Sequence, residues 1–314
     1  MQRLVRYGLR LVGILLAVSL VTFLLLNLIP GDPVLAILGE TATPQSIAAL
    51  HAQLGLDLPL PWRYLNWLKH ALTGDFGRTF RSGDTVFALI MQRLPVTLEL
   101  LVIAQVLALV FAVPLGIWTA YRANQPVDHV SMGVSLSLLS MPSFLVGILL
   151  IYALALDLGL FPATGFVPMK QGLGPNLRSV ALPAATLALV EFPVYMRLLR
   201  SEMINTLRQN FIGVARAMGL PVWRILFQHA LRPSSINLVT VVGINMGRLI
   251  GGAVIVEVLF AMPGVGQLLV DSVFQKEILV VQGVVLIVAF MFVLVNAVVD
   301  LLYQVIDPRI GHVR

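Results

Sequence analysis

The chain has 314 residues, of which 58% are hydrophobic and only 11% charged, with a formal net charge of +6 and a mean hydropathy of +0.93. Soluble domains run at about 45–50% apolar and about 25% charged, so this composition excludes an ordinary soluble enzyme with a large core. The sequence has no cysteine, which excludes disulfides and thiolate metal sites, and its basic residues cluster at the ends of apolar segments rather than in one patch, which points to membrane topology rather than to nucleic acid.

A helix needs roughly 20 apolar residues to cross a bilayer, and windows free of Asp, Glu, Lys and Arg, or interrupted by one of them, predict six such spans. The first runs from Leu11 to Ile29, behind Arg3, Arg6 and Arg10. Its basic start and apolar core resemble a signal peptide, but the apolar run is long and no small-x-small cleavage site precedes Pro30-Gly31-Asp32-Pro33, so it reads as a span. The second runs from Leu100 to Tyr121, the third lies between Asp128 and Asp157, and the sixth runs from Ile278 to Val299. Two more carry one charge each: Val180–Met196 contains Glu191, and Pro233–Val256 contains Arg248. The windows lack the alternation of barrel strands. Pro114, Pro142, Pro183 and Pro193 fall inside spans and are expected to kink them.

The excess of arginine before span one, between spans two and three, between spans four and five (Arg197, Arg200, Arg208, Arg216, Arg224 and Arg232) and after span six falls on one side of a six-span bundle. Both termini are therefore expected in the cytoplasm. The region 30–94 then faces outward. Within it Thr43-Pro44 predicts a helix from about Pro44 to Leu54, ended by Gly55. Pro61 to Leu72 reads as a second helix with Trp62, Leu65, Leu68 and Leu72 on one stripe, and Asp84 is placed to cap a third carrying Phe87, Ile90, Met91 and Leu94 towards Pro95. A small helical lid and a docking surface for an extracytoplasmic partner are both compatible with this pattern.

The stretch from Leu199 to Pro233 is too polar to span and too periodic for disorder. Phe211, Val214, Ala215 and Met218 recur at i, i+3, i+4 and i+7, which predicts a short amphipathic helix over Asn210–Met218. Gly219 is placed to end it and Pro221 discourages its continuation. Val222–Leu231 reads as a further separate helix before Pro233. A short helix held by a stiff turn between two spans is a mechanical lever, or an interfacial helix on the membrane surface.

The run Asn210-Phe211-Ile212-Gly213-Val214-Ala215-Arg216-Ala217-Met218-Gly219 resembles the "EAA" loop of ABC importer permeases, in the Ala-Arg-Ala-x-Gly variant of the dipeptide/oligopeptide (B-type) permeases. The general motif's Glu is replaced by Gly213 and its next Ala by Val214. His229-Ala230-Leu231-Arg232-Pro233 resembles the end of that loop, and further similar segments run along nearly the whole chain. They are Ile29-Pro30-Gly31-Asp32-Pro33, Gly74-Asp75-Phe76-Gly77, Arg93-Leu94-Pro95-Val96-Thr97-Leu98-Glu99, Gly251-Gly252-Ala253-Val254-Ile255-Val256-Glu257, Pro263-Gly264-Val265-Gly266, Val299-Asp300-Leu301-Leu302-Tyr303 and Asp307-Pro308-Arg309.

The resemblance implies an all-α membrane protein of the type I ABC importer permease (MetI-like) fold. It implies an N-terminal end and first span over 1–29, an extracytoplasmic helical insertion over 30–94, a five-helix transmembrane domain over 95–303 with its coupling loop at 200–233, and a cytoplasmic tail over 304–314. The implied setting is a bacterial cytoplasmic (inner) membrane. The implied partners are a second homologous permease, two cytoplasmic ABC ATPases that use ATP and Mg, and an extracytoplasmic solute-binding protein. The short helix would dock on one ATPase, with Phe211, Ala215, Arg216, Ala217 and Gly219 as the coupling residues; small side chains at Ala215 and Ala217 would permit close docking, Gly219 the turn. Relatives of the family carry dipeptides, oligopeptides, glutathione, nickel and other small solutes, and a dipeptide-like solute is the default expectation.

The chain itself is expected to bind no cofactor and catalyse nothing. It has no Gly-x-x-x-x-Gly-Lys-Ser/Thr segment, its five histidines at 51, 70, 129, 229 and 312 show no ligand spacing, and no metal or nucleic-acid site is indicated. A proton- or sodium-coupled carrier would show inverted repeats and paired intramembrane acids, and neither it nor a membrane assembly factor has a use for the lever. Intramembrane charge is costly and marks function. If span four enters near Ala181 and span five exits near Val258, Glu191 and Arg248 each lie about 10 residues, roughly 15 Å, below the outer end. They are candidates for an ion pair or for a joint lining of the solute path. Glu257 and Asp300, near span ends, read as satisfying backbone or partner groups.

Overall fold

The computed structural model describes residues 12–24, 34, 43–45, 48, 51, 57–79 and 82–306, with side chains up to residue 298. The predicted helix Pro44–Leu54, the tail 304–314 and the side chain of Asp300 lie outside the described residues wholly or in most part. Apart from an isolated bridge between Arg78 and Thr85, the described residues are helical or irregular. The helices are α1 (Val12–Leu24), α2 (Leu60–Leu72), α3 (Val86–Tyr121), α4 (Pro126–Ser140), α5 (Ser143–Leu150, continued as a π-helix over Ile151–Asp157), α6 (Leu173–Leu207) and α7 (Asn210–Ala217). They are followed by α8 (Val222–Leu259), α9 (Val265–Phe274) and α10 (Ile278–Ile306).

Among the described residues four helices are long and apolar enough to cross a membrane: α3, α6, α8 and α10 over Ile278–Val298. The α4–α5 pair makes a fifth if it counts as one span. Three expectations need correction. The third span is not one rod: α4 and α5 meet at 108°, at Met141 and Pro142. At the break Met141 N–H turns back to the Leu138 carbonyl at 3.2 Å, and Pro142 has no N–H to place. The expected third outer helix after Asp84 is the first part of α3, which runs straight through Pro95. Its start is held not by Asp84 but by Val86 N–H donating to the Gly77 carbonyl at 3.0 Å. Nor is Val222–Leu231 a separate helix: it is continuous with span five through a π-helical turn over Ile225–Ala230. That wider turn precedes Pro233, which has no N–H to give and whose ring crowds the preceding carbonyls. Of the four prolines expected to kink spans, Pro142 stands at the break, while the helices continue through Pro114, Pro183 and Pro193.

The chain divides into two compact units. The first joins residues 1–96 to 263–293. Its core gathers Ala71 and Phe76, Val86 and Ile90 from the start of α3, Val265 and Leu268 from α9, and Val280, Val284 and Ile287 from α10. Here α2 packs on α1: the Tyr64 and Ser19 hydroxyls are 2.8 Å apart, and Phe23 meets the Tyr64 ring edge-on at 5.4 Å.

The second unit joins residues 97–262 to 294–314. Its centre is α6, packed by α4, α5 and α8. On α3 the residues Ala104, Ala108, Ala112, Gly116 and Ala120 recur every fourth position, and those with a side chain are buried. A stripe of small residues lets two helix backbones approach, which replaces the hydrophobic drive that lipid cannot supply. At Gly116 a Cβ would sit 3.2 Å from the Met196 carbonyl oxygen and from Leu199 Cβ on α6.

A leucine at that position has nowhere to go. Gly116→Leu is expected to cost about 1–3 kcal/mol by overpacking and to lower the thermal midpoint of the detergent-solubilised chain. Gly133→Leu, at a glycine with nothing within 4 Å, is the control and is expected to leave the midpoint unchanged.

Candidate functional site

Two regions of the second unit carry the sequence-predicted residues. The first is α7 with its flanks. Its carboxyl end is closed by a pair of reversed hydrogen bonds, Leu220 N–H to the Ala215 carbonyl at 3.2 Å and Gly219 N–H to the Arg216 carbonyl at 3.0 Å. This geometry needs a left-handed residue at the third position after Arg216, and Gly219 has φ +75°. The expected stop is thus the observed one, and it sets the angle at which the chain leaves α7 for α8.

Of the apolar stripe, α7 buries only the edge that carries Ala215, together with Ile212. Ile212 and Ala215 are buried in the core with Leu199 and Met203 of α6 and with Ile225, Leu226 and Ala230 of α8. The small side chain of Ala215 therefore lets α7 lie close on its own chain. The remaining apolar stripe, Phe211, Val214 and Met218, is exposed, as are Arg216 and Ala217. Val222, Trp223 and Phe227 at the start of α8 are exposed as well, with the Arg224 guanidinium 5.4 Å from the centre of the Trp223 ring. An apolar stripe turned outward beside a buried one marks a helix with a second surface to satisfy.

The second region is the pair of charges inside the spans. Arg248 Nη2 on α8 donates to both carboxylate oxygens of Glu191 on α6, at 3.1 and 3.2 Å. The two residues, 57 apart in sequence, do meet. They are unequally placed: the Glu191 side chain is 3% exposed and that of Arg248 58%. Tyr195 and Asn245 flank the Glu191 carboxylate, and the Tyr195 hydroxyl donates to Gln105 Oε1 on α3 at 3.1 Å. Glu257, at the far end of α8, is buried and accepts from the Thr97 hydroxyl at 2.6 Å. That agrees with a structural role for Glu257.

Sequence reading missed a second ion pair. Arg200 on α6 grips Asp128 on α4 with two parallel bonds, Nε to Oδ1 at 2.5 Å and Nη2 to Oδ2 at 2.6 Å. Oδ2 also accepts the backbone N–H of Asn124 at 2.8 Å, which holds that asparagine at φ 64°. Asp128 served only as the edge of a span and Arg200 only as an orienting charge, and no local pattern links positions 72 residues apart. Further along α6, Glu202 accepts from Asn237 of α8 at 2.8 Å and Thr206 shares a hydrogen bond with Ser234 of α8 at 2.9 Å. Together these contacts lock the end of α6 that leads into α7. No cluster of three or more His, Cys, Asp or Glu side chains suited to a metal occurs among the described residues.

Comparison with known proteins agrees with these elements. Residues 112–312 match the family model described as binding-protein-dependent transport system inner membrane component, and residues 1–101 match its N-terminal companion. A putative peptide transport system permease protein of Brucella abortus is 37% identical over 301 residues, 96% of each chain. The dipeptide transport system permease protein DppB of Escherichia coli K12 is 36% identical over 321 residues, 95% of each chain. Among solved structures, an inward-facing MetNI methionine ABC transporter contains a chain similar in fold, with a TM-score of 0.58, 16% identity and coverage of 70% of this chain and 96% of that one.

Asp128→Asn leaves Arg200 without its counter-charge, and is expected to cost on the order of 2–3 kcal/mol, less than a fully buried pair because Arg200 retains an edge in contact with solvent. Thermal unfolding of Asp128→Asn, Arg200→Gln and the double variant checks this. The double variant is expected to be less destabilised than the sum of the singles.

Proposed function

We propose, from the premise that the chain belongs to the binding-protein-dependent transport system inner membrane component family and is the permease subunit of an ABC importer, that the solute it passes is a dipeptide, an oligopeptide or a similar small molecule. The similarity to a peptide and to a dipeptide permease along nearly the whole chain is the observation that carries this reading. The protein is a multi-pass inner-membrane protein and not itself a catalyst; ATP is hydrolysed on separate ATPase subunits. In our reading it pairs with a second, homologous permease, each contributing half of the pathway, above two cytoplasmic ATPases that bind ATP and Mg and below an extracytoplasmic solute-binding protein. Both termini and α7 lie on the cytoplasmic side, as the arginine distribution favours, and the region 30–94 lies outside.

The exposed stripe on α7 supports an assignment as the ATPase-docking element. Phe211, Val214 and Met218 offer the apolar contact, Arg216 a cation for an acidic partner group, Ala217 a low profile, and Gly219 the angle of the helix. Ala215 contributes by seating α7 on α6 and α8. ATP-driven closure of the ATPase pair would push α7, and the core it shares with those helices would carry the push into the spans. Physically this is a rigid-body rearrangement between inward- and outward-facing states, biased by nucleotide. In the same reading Glu191 and Arg248 line the translocation pathway.

The first experiment is to tag the chain, purify it gently from its native cell and identify what co-purifies. Two ATPase species or a doubled single one, with a second permease, are the expected companions; repeated isolation of the chain alone would sink the importer reading in this form. The docking surface has its own test. Val214 and Met218 are 59% and 73% exposed, so Val214→Asp with Met218→Asp is expected to leave the thermal midpoint of the isolated chain unchanged while abolishing recovery of the ATPases.

A further inference from the structure

The Glu191–Arg248 contact is lopsided in burial and in its use of donors. Arg248 spends one nitrogen, Nη2, on both oxygens of Glu191, and its Nε and Nη1 make no hydrogen bond among the described residues. Beside the pair, Gln105 Nε2 is a buried donor without a hydrogen-bond partner, while the Gln105 oxygen is already taken by Tyr195 and the Asn245 amide lies against Glu191. The capacity left over in this cluster is donor capacity, which suits an acceptor or an anion.

The helix that carries Arg248 opens in the same direction. Ile244, Arg248, Gly251, Ile255 and Val258 are all exposed, and they recur at i, i+4, i+7, i+11 and i+14, one continuous face of α8. Lipid does not suit that face, because an arginine within a spanning helix is costly against hydrocarbon. The face needs water or protein against it. Glu191 keeps the guanidinium from turning away and offsets part of its charge.

We propose that Arg248, held in place by Glu191, is a solute-binding position on the translocation path, where its free N–H groups take the carboxylate of the passing solute. The proposal rests on the importer reading above. Partial neutralisation by Glu191 has a physical use here, since a position on a transport path must bind well enough to admit the solute and weakly enough to release it. Glu191 is a positioning residue in this scheme, because its own carboxylate is buried behind Arg248.

The absence of cysteine from the chain makes a direct test available. Ile244→Cys and Gly251→Cys each give the chain its sole thiol, one turn before and one turn after Arg248. The assembled importer in proteoliposomes is exposed to anionic ethylsulfonate or cationic trimethylammonium-ethyl methanethiosulfonate, without nucleotide and trapped with ATP and vanadate. Modification is read from the mass of this chain. Both thiols are expected to react in at least one state, the anionic reagent faster. Arg248→Gln is expected to lower the anionic-to-cationic rate ratio about tenfold and Arg248→Lys by less than about threefold, as a unit charge at this range in a partly dry site predicts. A dipeptide with a free carboxylate is expected to protect the thiols, and its C-terminal amide is not.

Thiols silent in both states, in an assembly that still hydrolyses ATP and imports, would place this face against protein and overturn the proposal while leaving the importer intact. A rate ratio indifferent to Arg248→Gln, or equal protection by the amide, would overturn it too. Failure to assemble with any ATPase would strike the importer reading first, and this proposal with it.

Discussion

Inside hydrocarbon every backbone N–H and C=O has to find its partner within the protein, because no water is there to take its place. The architecture follows from that constraint. It accounts for the helical character of the described spans, and it also governs where they depart from regularity. The sharp turn between α4 and α5 falls at Pro142, the one residue type with no donor to strand, and the carbonyl of Pro142 itself accepts from Leu145 at 3.0 Å and Val146 at 3.2 Å. At the base of α8 the chain widens into a π-helical turn instead of breaking, and Ser234 returns a hydroxyl to the Ala230 carbonyl at 2.8 Å. At both irregular points local hydrogen bonds take up part of the pairing that a regular helix would supply.

Side-chain charge obeys the same rule with higher stakes. Asp128 and Glu191 are buried, and each has an arginine. The two pairs differ in what they leave over. Asp128 and Arg200 meet in a two-bond fork, with the Asn124 backbone N–H adding a third bond at Oδ2, which makes a structural clamp. Glu191 and Arg248 meet through one nitrogen, and the rest of the guanidinium stays open. The first arrangement suits a joint that must not move, the second a group that meets something passing.

The packing of α7 joins these elements. Its inner face, Ile212 and Ala215, is part of the same core as Tyr195, Met196, Leu199 and Met203 of α6. Glu191 lies one turn before Tyr195. A displacement of α7 is thus opposed by the helix that holds the intramembrane pair, and dense packing transmits strain rather than absorbing it. Among the described residues the outer face of α7 has no such neighbour, which leaves it open to another protein.

Much of this was legible in the sequence. The apolar windows fall within α3, α6, α8 and, to within a residue at its start, α10, and the helices extend beyond them, because hydropathy reports the hydrocarbon and not the helix. The short helix at 210 and its glycine stop were readable because helix periodicity and a left-handed terminator are local properties. The family was readable because its motifs lie in order along the chain. What remained hidden depended on two helices at once. The stripe Phe211, Val214, Ala215 and Met218 marks an apolar helix but not which edge of it turns inward. Pro142 announces a bend but not 108° rather than a kink like those tolerated at other prolines.

The sequence by itself therefore determined the class of protein, the apolar segments at the heart of the long helices, and the two charges that had to be accounted for. Only the tertiary structure decided that Glu191 and Arg248 share a contact, that Asp128 and Arg200 share another, and that Arg248 keeps its free side open. The reason is physical: hydropathy, periodicity and turn chemistry are carried by neighbours in the chain, whereas ion pairs between helices depend on which helices adjoin and how each is rotated about its axis. Those rotations are set by the packing of all the helices together.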